Sequence, residues 1–222
     1  MKNILLLFFL SFGLTASAQS WEFNSSPLVN FFYDFDDYYI GSYTLKSGYN
    51  LNVGIDDVYL NDLRLRFILG FSKYSGGIDA KFRSQGSGTS LNGHAKKNVL
   101  QFGLYPINFG GKEGLNVNIG TEFSALIGGE IEGTYTNWYI VSTSGPVVEE
   151  SYDDVNDLYD SYHSMYYFGI SIRVAYDIPL SEDFYLVPQY SLYVGLSNEF
   201  IEFPKTTKSL RNMLGIGIKR KM

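Results

Sequence analysis

The stretch from Met165 to Ile178 alternates without a break. Tyr166, Phe168, Ile170, Ile172, Val174, Tyr176 and Ile178 are apolar, while Tyr167, Gly169, Ser171, Arg173, Ala175 and Asp177 are small, polar or charged. Side chains on a strand face opposite sides in turn, so this is one β-strand with an oily face and a wet one. The run exceeds the roughly five or six residues usual in soluble proteins. It meets the about nine to eleven residues that a tilted strand needs to cross a bilayer. The oily face is therefore expected to look at lipid.

Leu115 to Ile127 and Phe184 to Leu196 repeat the pattern cleanly, and Tyr43 to Ile55, Leu63 to Phe71, Val99 to Phe109 and Leu210 to Met222 repeat it more weakly. An eighth strand is expected between Trp21 and Tyr33, where the alternation is poor. The connections are short around Asp56 to Asp62, at Gly110 to Gly114 and at Ser181 to Asp183. They are long from Ser75 to Lys97 and from Glu132 to His163, and moderate from Asn198 to Lys208. Short turns alternating with long loops are the habit of outer-membrane barrels. The expected fold is all-β: an eight-stranded antiparallel up-and-down transmembrane barrel over residues 19–222.

Lys2, the apolar run from Ile4 to Leu14, and Ala16-Ser17-Ala18 before Gln19 have the order of a secretory signal peptide, with cleavage expected after Ala18. Removing residues 1–18 leaves 204 of 222 residues, enough for one domain. The absence of cysteine excludes a lipoprotein signal and any disulfide. Past Ala18 no apolar stretch approaches the roughly 18 residues of a helical span. The mean hydropathy of only −0.06 fits a barrel, whose polar lumen dilutes the lipid-facing residues. A net charge of −6, without a basic stripe, argues against a nucleic-acid partner. The expected location is the outer membrane, as a monomer touching lipid, with any protein partner met by the outward loops.

In order and register the chain resembles the outer-membrane β-barrel domain proteins of Gram-negative bacteria often called PorT-like. Leu100-Gln101-Phe102-Gly103-Leu104-Tyr105-Pro106 is similar to that family's apolar strand running into a proline, followed by a glycine-containing strand at Asn118 to Gly129. Tyr190-Ser191-Leu192-Tyr193-Val194-Gly195-Leu196-Ser197-Asn198 resembles its Tyr/Gly/Leu/Asn strand end, and Leu214-Gly215-Ile216-Gly217-Ile218-Lys219 its closing strand. The resemblance implies a barrel from about Tyr43 onward. The family's link to type IX secretion has no counterpart in a motif of these loops. Where many such barrels end in an aromatic residue, this sequence reads Lys219-Arg220-Lys221-Met222.

An eight-stranded barrel is just wide enough for its own side chains to fill. The inward faces are expected to carry Lys46, Arg64, Arg66, Glu122, Arg173, Asp177 and Lys219, with Gln101 and Gln189. Confined opposite charges should pair, because an unpaired buried charge costs several kcal/mol. The expectation is a structural ion-pair network with Glu122 and Arg173, on neighbouring strands, as partners. A small gated pore or proton path through those two residues is the sharper alternative.

Catalysis has little to work with. A lipid hydrolase would draw on His163, Ser164 and Asp160, but His163 and Ser164 are adjacent on a strand and point to opposite faces. Asp153, Asp154, Asp157 and Asp160 lack the spacing of a calcium loop and read as a solvated acidic segment. Trp138 and the loop tyrosines suit an aromatic girdle or a contact surface. No catalytic residue, cofactor or metal is expected. The rival fold is a soluble lipocalin-like barrel with its apolar face inward around a small hydrophobic ligand. The two differ in one respect: a lipid-facing barrel puts Ile170, Ile172 and Val174 outside and Arg173 inside.

Overall fold

The computed structural model describes residues 20–33, 39–60, 63–84, 87–110, 114–141, 147–158, 164–200 and 207–222. The expected signal segment, residues 1–18, lies outside them, as do Asp160 and His163. The strands are β1 (Ser20–Tyr33), β2 (Tyr39–Thr44), β3 (Lys46–Leu60), β4 (Leu63–Ser84), β5 (Ser87–Gly110), β6 (Leu115–Val141), β7 (Val147–Leu158), β8 (Tyr166–Tyr176), β9 (Ile178–Pro179), β10 (Phe184–Gly195) and β11 (Lys208–Lys221). Every pairing is antiparallel. β1, β3, β4, β5, β6, β8, β10 and β11 follow one another round a closed eight-stranded barrel, sealed where β11 pairs both β10 and β1.

The ends of the barrel differ. Short connections at 61–62, 111–114 and 177–183 mark one end, called here the turn end, where Ser20 and Lys221 also pair. Gly114 makes the β5–β6 turn possible with φ of 85°, a conformation that costs glycine least. At the opposite, loop end the expected long loops are instead strand. β4 and β5 stay paired as far as Ser84 and Ser87, and β6 runs on to Val141 and pairs with β7. β2 joins the far half of β4, so Tyr43 belongs to β2 and the strand expected from Tyr43 is divided at Leu45.

The serine- and glycine-rich segment after Ser84 thus forms a protruding hairpin. What favours the strand is an alternation hidden by that composition. Ile78, Leu91, Ala95 and Ile131 are buried on one side. On the other side Lys96 donates to Glu130 at 2.5 Å and Glu132 at 3.1 Å, and His94 Nε2 lies 2.9 Å from Glu132. Hydrogen bonding to Glu130 pushes the exposed Lys96 ammonium above its ordinary pKa, and the same bond holds Glu130 below its own.

β1 is a full barrel strand whose burial alternates along almost its whole length. Its sequence hides this because Leu28 and Phe32 point inward while Ser25 and Pro27 point out. In β5, Pro106 falls where the pairing with β6 skips from Leu104 to Ile107, since proline has no N–H for the ladder.

Round the wall the faces have the polarity of a membrane barrel. Ile170, Ile172 and Val174 are 41%, 37% and 37% exposed, whereas Arg173 is 4% exposed. Phe23, Leu51, Leu69, Leu100, Phe123, Ile216 and their like continue the apolar belt. A soluble barrel holding a ligand needs the reverse arrangement, and the structure does not have it. An Ile172→Arg substitution, mid-strand on this belt, is expected to cost about 2–4 kcal/mol when unfolding is followed in lipid vesicles. In a water-facing position it would cost almost nothing.

Candidate functional site

Among the described residues the buried charges gather in the lumen, which holds two charge networks joined by amides. At the turn end Glu22 on β1 is the hub. One carboxylate oxygen accepts from Arg66 of β4 at 3.1 Å and the other from Arg173 of β8. Arg66 also binds Asp56, and Lys219 bridges Asp177 at 3.0 Å and Asp56 at 3.6 Å. Arg173 donates further to Gln189 and, at 2.9 Å, to Asn118. Three cations here (Arg66, Arg173, Lys219) face three carboxylates (Glu22, Asp56, Asp177), so the paired set is neutral.

Gly54 allows Arg66 to span from β4 to β1. A Cβ at Gly54 would lie 2.6 Å from an Arg66 guanidinium nitrogen, so the bare backbone on β3 lets the side chain cross in its observed position. Between Arg66, Arg173, Lys219 and the amides of Asn108, Asn116 and Asn118 remains a cavity of about 10 Å³, room for a single water.

Towards mid-barrel the chain of partners is uncharged. Asn24 donates to Asn52 at 3.0 Å, Asn52 to Asn50 at 2.7 Å, and Asn50 to Gln101 at 2.5 Å. Gln101 in turn donates to Glu122 at 2.7 Å. Glu122 is paired at 3.1 Å with Arg211 of β11, whose guanidinium stacks 3.5 Å from the Tyr193 ring. The tip of Tyr193 rests on Gly169 of β8, where a Cβ would come within 2.6 Å of the ring.

The second network closes the loop end. Glu199, in the connection from β10 to β11, dips into the mouth and is fully buried. Its carboxylate accepts from Lys97 at 2.7 Å, from Tyr74 at 3.0 Å and from Ser209, and its main-chain oxygen takes a second bond from Lys97 at 2.7 Å. The Lys97 ammonium lies 4.4 Å from the Phe200 ring centre and 5.1 Å from that of Tyr167. Phe200 packs edge-on against Phe32 at 5.4 Å. Lys97 and Arg211 against Glu122 and Glu199 again balance.

Of the residues expected in the lumen, Arg66, Glu122, Arg173, Asp177 and Lys219 are there, with Gln101 and Gln189. Arg64 is half-buried at the turn-end mouth, and Lys46 shares the inward parity but is exposed at the loop end of β3. The expected Glu122–Arg173 pair does not form. Arg173 is level with Asn118, whereas Glu122 is level with Gly169, four residues further along, or about 13 Å. Each takes another partner, Glu22 for Arg173 and Arg211 for Glu122.

Sequence reasoning did not reach Glu22, Asp56, Lys97, Glu199 or Arg211. Arg211 lies inside an expected strand and carried an overlooked signal, the same parity as Lys219. Ser164 of the conceivable hydrolase donates its main-chain N–H to the Glu199 carbonyl at 3.0 Å. Asp153, Asp154 and Asp157 lie on β7. Among the described residues no group of three or more His, Cys, Asp or Glu is placed to hold a metal ion.

The sequence matches no family model and no curated protein. Among solved structures the chain is similar to Neisserial surface protein A, with a TM-score of 0.42 and 12% identity over 93% of this chain and 99% of that one. It is similar to Ail, the attachment invasion locus protein of Yersinia pestis, with a TM-score of 0.41 and 13% identity over 91% and 99%. The outer membrane protein OprG of Pseudomonas aeruginosa gives a TM-score of 0.40 and 11% identity over 92% and 97%.

Proposed function

We propose that this chain is a non-enzymatic outer-membrane barrel protein whose lumen is closed by its own ion pairs and whose working surface is the pair of hairpins at the loop end. The observation that carries this reading is the inverted polarity of the wall. An apolar belt faces out while Glu22, Arg66, Arg173, Arg211 and Lys97 are buried inside. Only a lipid surrounding makes that arrangement favourable, because exposed apolar area and buried charge both cost free energy in water.

The filled lumen supports a structural role for the charges over a conducting one. The hairpins β4–β5 and β6–β7, with β2 alongside, extend the sheet beyond the belt and offer a surface to a protein partner. Within this class the strand pattern fits the PorT-like group, and we assign no secretion role. Export by a signal peptide cleaved after Ala18 completes the reading.

The test is fractionation of producing cells, followed by electrophoresis of the outer-membrane fraction with and without boiling. We expect the protein in that fraction, an amino terminus at Gln19, and a mobility that shifts on heating. A soluble protein with no shift would overturn the proposal. Measured hydrolysis of outer-membrane lipid that is lost with His163→Ala would overturn its non-enzymatic part.

A further inference from the structure

We propose that the turn-end rim of the barrel carries a binding site for one anionic phospholipid headgroup, built on Arg220 between Trp21 and Phe184. The three residues stand side by side on β1, β11 and β10, since Trp21 pairs with Arg220 and Arg220 with Phe184. All three point outward, with Trp21 48% and Phe184 43% exposed. The Arg220 guanidinium lies 5.7 Å from the Phe184 ring centre, so the aromatic face holds the fork at the rim.

Directly inward along the same strands come Phe23, Ile218 and Leu186, which belong to the apolar belt. Round the rim the outward residues Ile55, Phe67, Ile107, Leu115 and Tyr176 are apolar or aromatic. The cation therefore sits at the boundary where acyl chains give way to headgroups, beside a tryptophan, a residue that prefers that depth. A guanidinium presents two parallel N–H donors that match a phosphate's oxygens. Lys221 has the opposite parity, its ammonium donating to Tyr185 at 2.9 Å, while Glu182 and Asp183 are exposed in the adjoining turn, so Arg220 is the cation on the outward face here. The occupant this arrangement fits is an anionic glycerophospholipid of the leaflet facing the short turns. The proposal rests on the membrane reading above.

Trp21 is its own reporter, because the chain has two tryptophans and the other, Trp138, lies on the hairpin part of β6. In a Trp138→Phe background, reconstituted in brominated phosphatidylcholine, unbrominated phosphatidylglycerol is titrated in and recovery of Trp21 fluorescence is read. One basic side chain at a membrane surface is worth about a five-fold preference for the anionic lipid. We expect about that preference in the parent, weakening with salt, and none in Arg220→Gln that still shows the heat-dependent mobility shift. Should the variant not fold, the salt titration of the parent decides. Equal affinity for the two lipids, or a preference that Arg220→Gln keeps or salt leaves unchanged, would overturn the site. Absence of any quenching by brominated lipid would instead sink the membrane reading on which it depends.

Discussion

Replacing Glu22 by alanine is expected to lower unfolding stability by an amount at or above the top of the about 3–5 kcal/mol range for breaking a buried ion pair. The reason is that one carboxylate serves two cations. Arg66 and Arg173 approach its two oxygens from opposite sides of the lumen, and all three side chains are nearly fully buried. Arg66 keeps Asp56, and Arg173 keeps only the neutral Gln189 and Asn118 as direct partners. Glu22→Gln keeps the shape and should lose nearly as much, because charge is what is missing. Urea unfolding in vesicles gives the values. A double-mutant cycle should show strong coupling between Glu22 and Arg173 and almost none between Glu122 and Arg173, which are too far apart to share a bond. Strong coupling in the second cycle would refute the observed register.

The other large effect is expected at the loop end. Lys97→Met leaves Glu199 buried without its cation and should cost about 3–5 kcal/mol. Lys97→Met with Glu199→Gln together should cost much less than the sum, because neither then leaves a stranded charge. Glu199 also holds the β10–β11 connection down in the mouth, through Lys97, Tyr74 and Ser209. Protease added to intact cells is therefore expected to cut between Leu196 and Lys208 in Glu199→Ala and to spare the parent. Resistance in both would show that the carboxylate is not needed, and that the main-chain bonds of residue 199 with Phe200 packing seat this segment.

Separating the two networks by a neutral amide stretch has an energetic logic. Each set balances its own charge, three against three and two against two, so neither depends on the other across the barrel. Damage at Glu22 should accordingly leave the Lys97–Glu199 closure intact, and the cost of combining Glu22→Ala with Lys97→Met should be additive.

Much of this was legible in the residue order. A period of two fixes which side chains share a face whatever surrounds the strand, so the barrel and the inward placing of Arg66, Glu122, Arg173 and Lys219 followed from parity. Parity failed where the lumen itself changes character. Near the loop end the inside takes apolar side chains beside the Lys97–Glu199 pair, so Leu28 and Phe32 on β1 blurred the alternation and concealed Glu22. Glycine and serine after Ser84 disguised the β4–β5 hairpin, and with it Lys97, as a loop. Glu199 belongs to no strand, and no pattern marks a connection that folds into the mouth.

The sequence by itself determined the eight strands of the barrel wall, their faces and the sorting of short connections from long ones, because these depend on each residue and its near neighbours. Which charges meet was decided only by the tertiary structure. Pairing depends on the stagger of strands around the closed wall, and that stagger puts Arg173 level with Asn118 and within reach of Glu22, while Glu122 sits about four residues higher beside Arg211.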